Sequence, residues 1–243
     1  MEALHAIDAT PGPLGGAAAP SAMGLVELML KDPARLDELA REDSLQPVLV
    51  PRFLAIALVG FTIFGVAATV VLNASGVWPS WVPRATWPGP SAANLILAYD
   101  LGLIAASGVC LPSFYFYGLL AGVKLTMLQA VAHLVKTKAT TAVMLVGILP
   151  LYVALALGII VFGGAAEWLN LTIAVGLALP FVAGLWGIRS LYLGFMRLAD
   201  TLPACDRTRR TRFLRMLTLS WAGCYTAVSP LMIYTLWRHF AGA

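Results

Sequence analysis

A chain of 243 residues in which 60% are hydrophobic and only 12% are charged is no ordinary soluble domain, whose charged share is about 25%. Its mean hydropathy of +0.84 indicates an all-α polytopic membrane protein, with room for one membrane domain and no independent soluble one. The net charge of +4 does not argue for nucleic acid, because the basic residues flank apolar runs, where they fix orientation in the bilayer.

Residues Met1 to Ala22 are rich in Ala, Gly and Pro and are expected to form a disordered N-terminal tail, since they offer little to bury against chain entropy. No basic n-region with a continuous apolar h-region is present there, so no secretory signal is read. Residues 23–48 are expected to form a cytoplasmic amphipathic helical segment. Leu25, Leu28 and Met29 share a helical face, and Asp32-Pro33 reads as an N-cap followed by proline at the first helical position, opening a helix to Glu42. The pattern permits that helix to dock on a bundle, to lie at the membrane interface or to stay solvated.

The rest, residues 49–243, reads as a five-span transmembrane domain. Apolar runs at Phe53 to Leu72, Ile96 to Ala121, Thr140 to Phe162, Leu169 to Leu193 and Leu217 to Trp237 are each long enough, at about 1.5 Å per residue, for a hydrocarbon core of roughly 30 Å. Between the first two, Trp78, Trp81 and Trp87 alternate with prolines and are expected as an interfacial aromatic belt. Gly122 to Ala139 has helical spacing of apolar residues and is expected as a short amphipathic helix on the membrane surface or an extension of the spans, with His133 a surface residue. Assigning the N-terminal region, this connector and the connector before the fifth span to the cytoplasm puts 14 of the 16 Lys and Arg residues inside. That distribution predicts a cytoplasmic N-terminus and a periplasmic C-terminus, with the protein integral to a bacterial cytoplasmic membrane.

Few residues offer chemistry. Asp100 is the only acid clearly within a span, about one turn inside the outer face, and an intramembrane carboxylate is a candidate for proton or cation contact. Glu167, near the outer end of the fourth span, is expected close to it, the two forming a candidate polar site. Pro112, Pro150, Pro180 and Pro230 each fall inside a span and predict kinks. Gly118 with Gly122, Ala183 with Gly187 and Ser190 with Gly194 give small-residue faces for close helix contact, within the bundle or between subunits. Arg207, Arg209, Arg210, Arg212 and Arg215 make a cytoplasmic basic cluster that sets topology and suits anionic lipid. Cys110, Cys205 and Cys224 are widely spaced and show no redox or metal pattern. There is no nucleotide-binding glycine loop, H-E-x-x-H or G-x-S-x-G, so no catalytic residue, cofactor or metal is predicted and the chain is expected not to be an enzyme.

The segment Leu30-Lys31-Asp32-Pro33, its acidic helix and five following spans resemble the Yip-type family of membrane proteins. Cys110-Leu111-Pro112-Ser113-Phe114-Tyr115, Ala139-Thr140-Thr141-Ala142-Val143 and Ala183-Gly184-Leu185-Trp186-Gly187-Ile188-Arg189 are similar to a bacterial, uncharacterised branch. The resemblance implies a multi-span bundle without catalytic residues, and its eukaryotic members interact with Rab GTPases and membrane-traffic machinery. Three functions are therefore expected in order: a scaffold or accessory subunit of a bacterial membrane complex, with a membrane protein partner or a second copy; a small transporter or channel using Asp100; and an adaptor recruiting a cytoplasmic partner such as a small GTPase.

Overall fold

The computed structural model describes residues 20–76, 89–120, 122, 125–199 and 207–241, apart from the side chains at 198, 199, 207–211 and 241. Of the disordered tail expected for residues 1–22, residues 1–19 lie outside that description, as do the tryptophan belt, Cys205 and the side chains of Arg207, Arg209 and Arg210, while Ser21 and Ala22 start a helix instead. The chain is an all-α bundle: α1 (Ala22–Lys31), α2 (Pro33–Arg41), α3 (Gln46–Ser75), α4 (Pro90–Leu120), α5 (Met127–Val161), α6 (Ala166–Ala199) and α7 (Arg207–Ala241). The last five are long and apolar enough to cross a membrane, and the protein is an integral membrane protein in contact with lipid.

These five helices have 30 to 35 residues each, so at about 1.5 Å per residue each is about 45–52 Å long against a core of roughly 30 Å. The surplus projects past the hydrocarbon, and there the polar residues collect. The N-terminal segment closes one end. Ser21 caps α1 by accepting from the Gly24 amide at 3.2 Å; Asp32 caps α2 by accepting from the Arg35 amide at 3.0 Å, with Pro33 in the first helical position. Both helices then dock on the bundle: Leu25, Met29 and Leu36 pack with Leu49, Phe53 and Ala139. Of the placements the sequence permitted for α2, the docked one is found.

The connector expected over Gly122 to Ala139 belongs, from Met127 onward, to α5 and is continuous with the third span. Thr126 and Gln129 start it with a reciprocal capping box, which satisfies two of the orphan donors at the helix start. His133 is consequently not a surface residue. It is completely buried, as is Lys136, while Lys138 is 5% exposed. α4 likewise starts earlier than its hydropathy suggested, at Pro90, so Asp100 lies ten residues, about 15 Å, along the helix.

Within a bilayer, helix association rests on van der Waals contact and small residues, because lipid is as apolar as leucine. Several of the small residues are spent inside the bundle, while Gly147, Gly184 and Gly223 face open space. A Cβ at Gly102 would stand 2.6 Å from Ile233 Cγ1 and 3.0 Å from its Cα, so glycine sets the approach of α4 to α7. Gly60 does the same for α3 and α5, since a Cβ there would meet Ala142 Cβ at 2.8 Å. Gly187 faces Thr137 and Thr141 of α5, and Gly118 faces Leu125 and Phe195. Gly76, at φ 64°, and Gly163, at φ 66°, adopt the left-handed turn that ends α3 and follows α5, where a Cβ would be strained.

Candidate functional site

Two polar centres lie inside this bundle, and α5 contributes to both. The first is at the end covered by α1 and α2. Asp37 of α2 is 3% exposed. Its Oδ1 accepts from Lys136 Nζ of α5 and its Oδ2 accepts from Arg197 Nη1 of α6 at 2.5 Å. One carboxylate thus neutralises two cations from different helices, and a buried charge is tolerated only when paired in this way. Around it, Gln129 Nε2 donates to Asp43 Oδ1 at 2.9 Å, and Gln46 Nε2 donates to the same oxygen at 3.0 Å. These bonds join α5 and α3 to the turn after α2.

Gly194 explains how the groups converge: a Cβ there would stand 3.4 Å from both Asp37 Oδ1 and His133 Nδ1 and 3.6 Å from Lys136 Nζ. Its small-residue face therefore serves this centre. His133 presents its ring edge to Phe195, with centroids 6.3 Å apart, and neither of its ring nitrogens has a protein partner among the described residues. Arg41 Nε and Nη2 are also buried without one. The centre therefore carries more cationic and polar capacity than Asp37 satisfies.

The second centre is in the middle of the bundle. Lys138 Nζ donates to the Tyr225 hydroxyl and lies 3.6 Å from the centroid of that ring. The Tyr225 hydroxyl donates in turn to the Leu103 carbonyl of α4 at 3.4 Å. Trp221 stacks on Tyr225 with centroids 5.6 Å apart and donates from Nε1 to the Cys110 carbonyl at 2.9 Å. A cavity of about 20 Å³ adjoins the ammonium, lined by Phe61 of α3, Leu103 of α4, Thr137, Lys138 and Thr141 of α5, Pro180 and Phe181 of α6, and Tyr225 and Thr226 of α7. All five long helices meet there. Phe61, Leu103, Phe181 and Tyr225 are each close to the midpoint of their helix, whereas Lys138 is the twelfth of the 35 residues of α5. The cavity's volume suits a single water or an ion of similar size.

Asp100 sits beside this centre without joining it. It is 5% exposed, its Oδ2 accepts from Thr62 Oγ1 of α3 at 2.6 Å, and its Oδ1 has no protein partner among the described residues. Thr62 is adjacent in sequence to Phe61, and Leu103 is one helical turn from Asp100 along α4. No ion pair joins Asp100 to Lys138 among the described residues. Glu167 is exposed in the first turn of α6, and no hydrogen bond or ion pair brings it to Asp100 among the described residues.

The four prolines lie inside their helices as expected, but they are not equivalent. Pro112, Pro150 and Pro230 are exposed, and Pro180 is buried at the cavity wall. Arg212 and Arg215 are exposed on α7. Among the described residues no group of three His, Cys, Asp or Glu side chains is arranged to hold a metal. The polar stretch that matters, His133 to Thr141, is the one the charge pattern assigned to a connector. A signal for it was present: after the Thr126-x-x-Gln129 cap there is neither glycine nor proline until Gly147, so nothing ends a helix between the basic residues and the span. Comparisons with protein-family models, with curated proteins and with solved structures return no match.

Proposed function

We propose that this integral membrane protein is a small, non-enzymatic transporter or channel that passes a proton or small ion along the centre of the bundle. The observation that carries this reading is Lys138, a buried cation without a carboxylate partner among the described residues, at the point where all five long helices meet. Charged groups in membrane spans are costly and mark ion or proton pathways by default. Asp100, buried on α4, supplies a second ionisable group in the bundle, and Pro180 at the cavity wall removes one backbone donor from the otherwise continuous α6. Flux across proteoliposomes, measured with proton- and ion-sensitive dyes, tests the proposal. Wild-type protein is expected to exceed empty vesicles and Asp100→Asn to lose about tenfold or more, the scale of about 1.4 kcal/mol at a critical site. Wild-type flux equal to that of empty vesicles would refute it.

A second reading, an accessory subunit of a membrane complex, is favoured by a different feature. A groove of about 490 Å³ runs between α1, α3 and α5, lined by Ala22, Val26, Ala55, Val59, Gly60 and Ala142 among others. Small apolar residues of this kind let a neighbouring helix approach closely. Cysteine introduced at Val59, outside the Lys138 centre, is expected to crosslink to a stoichiometric membrane partner in native membranes; a product containing lipid-exposed monomer alone would exclude that role for the groove.

A further inference from the structure

The flank of the covered end holds a cleft that shares Asp37 and Arg197 with the first polar centre and extends beyond it to Arg189 and Trp186. It has a volume of about 220 Å³ and lies between α2, α5 and α6, with Arg189, Ser190 and Arg197 on one wall, Thr140 on another, and Met29, Leu193 and Trp186 as its apolar surfaces. Arg189, Leu193 and Arg197 follow one another at four-residue steps, so they form a single row on α6. Asp37 also borders the cleft, yet it is occupied by Lys136 and Arg197. Arg189 has no ion pair or hydrogen bond among the described residues and is exposed. The cleft is therefore cationic, carries hydroxyl donors, and is continuous with apolar side chains on the outside of a spanning helix.

We propose that this cleft binds the phosphate of an anionic phospholipid, with Arg189 as the principal contact, Arg197 and Ser190 as supporting donors, and an acyl chain lying along Trp186, on the side of Arg189 towards the middle of α6. Three features select a lipid over a free anion. The cleft opens on the flank of the bundle, its apolar and cationic walls meet as acyl chain and phosphate do, and Trp186, 42% exposed, offers an apolar face about one turn from Arg189. Basic pockets between spanning helices take acidic headgroups for this reason. The arginine side chain adds a planar donor fork that matches phosphate oxygens in pairs. The site is separate from the exposed arginines of α7, and it does not depend on the transport reading.

The test uses the full chain in a mild detergent, with bound lipid counted by native mass spectrometry. Phosphatidylglycerol, phosphatidylcholine of the same chain length and inorganic phosphate are titrated separately. Phosphatidylglycerol is expected to be retained over phosphatidylcholine, Arg189→Gln to weaken that retention roughly fivefold, and Arg215→Gln, on exposed α7, to leave it unchanged. Because Arg189 is exposed and outside the Asp37 cluster, its loss is not expected to alter thermal unfolding of the lipid-free protein, which is measured alongside. Equal retention of phosphatidylcholine would make the cleft merely apolar. Inorganic phosphate that displaces the lipid at equal concentration would make it a free-anion site, and an Arg215→Gln effect as large as that of Arg189→Gln would reduce it to a diffuse field. Any of these results overturns the proposal.

Discussion

Asp37→Ala is expected to cost about 3–5 kcal/mol, the usual penalty for removing one partner of a buried ion pair, and to release α2 from the bundle. The magnitude follows from what is left behind. Lys136 has no exposed side-chain area and cannot reach water without moving α5, whereas Arg197, with 39% of its side chain exposed, can turn outward. The stranded charge, more than the lost attraction, sets the cost. The effect should be local first, because α2 is a helix of nine residues held by Leu36, Asp37 and Ala40, and short peripheral elements open before the core. Trypsin cleavage at Arg35 and Arg41 is expected to accelerate, and unfolding in mixed micelles to shift towards lower denaturant. Pairing Asp37→Leu with Lys136→Met should recover most of the loss, since replacing both members of a buried pair by apolar groups is often neutral. Protection of α2 in the single variant, with a shift below about 1 kcal/mol, would show that the ion pair does not hold the covering layer.

The spans were legible because hydropathy over a long run is a one-dimensional property: Phe53 to Leu72 needs no knowledge of its neighbours to be apolar. The α2 start was legible for a similar reason, Asp32-Pro33 being a local signal. What could not be read was enclosure. Lys136, Lys138 and His133 look solvated in sequence because they are polar and adjacent, and only the arrival of α2, α6 and α7 from distant sequence buries them. His133 and Lys136, three residues apart, share the face turned to Asp37 and Gly194, and Lys138 lies on another, so a single charge run feeds two separate centres. Asp100 is the mixed case. Its presence in a span was evident, but its place along the helix depended on where α4 begins, and Pro90 at the helix start, rather than the first strongly apolar residue, decides that. The small-residue faces were recognised as close-contact surfaces; that Gly187 meets Thr137 and Thr141 while Gly194 admits Asp37 and His133 is a matter of helix pairing, which periodicity does not specify.

Lys138→Met is expected to lower stability by no more than about 2.5 kcal/mol, while lowering flux in proteoliposomes about tenfold or more, as removal of a group used in transfer does. Methionine has nearly the length of lysine, no charge and enough flexibility to fill the space beside Tyr225. The buried ammonium is costly, about 2.5–3.5 kcal/mol for a lysine at the centre of a spanning helix. Against this stand one hydrogen bond to a charged group, about 1.5–3 kcal/mol, and a desolvated cation–π contact of about 2 kcal/mol. The supports equal the cost or exceed it by up to about 2.5 kcal/mol, so packing can hold the lysine, and flux is what separates a conducting role from a packing one. Tyr225→Phe separates the two supports: it keeps the ring under the ammonium and removes the hydroxyl that links Lys138 to the Leu103 carbonyl. A flux defect in both variants, with the protein still folded in mixed micelles, would assign the Lys138–Tyr225 pair to the conduction path. Intact flux in Lys138→Met, with or without a loss of stability, would make the lysine a packing element and remove the observation on which the transport reading rests.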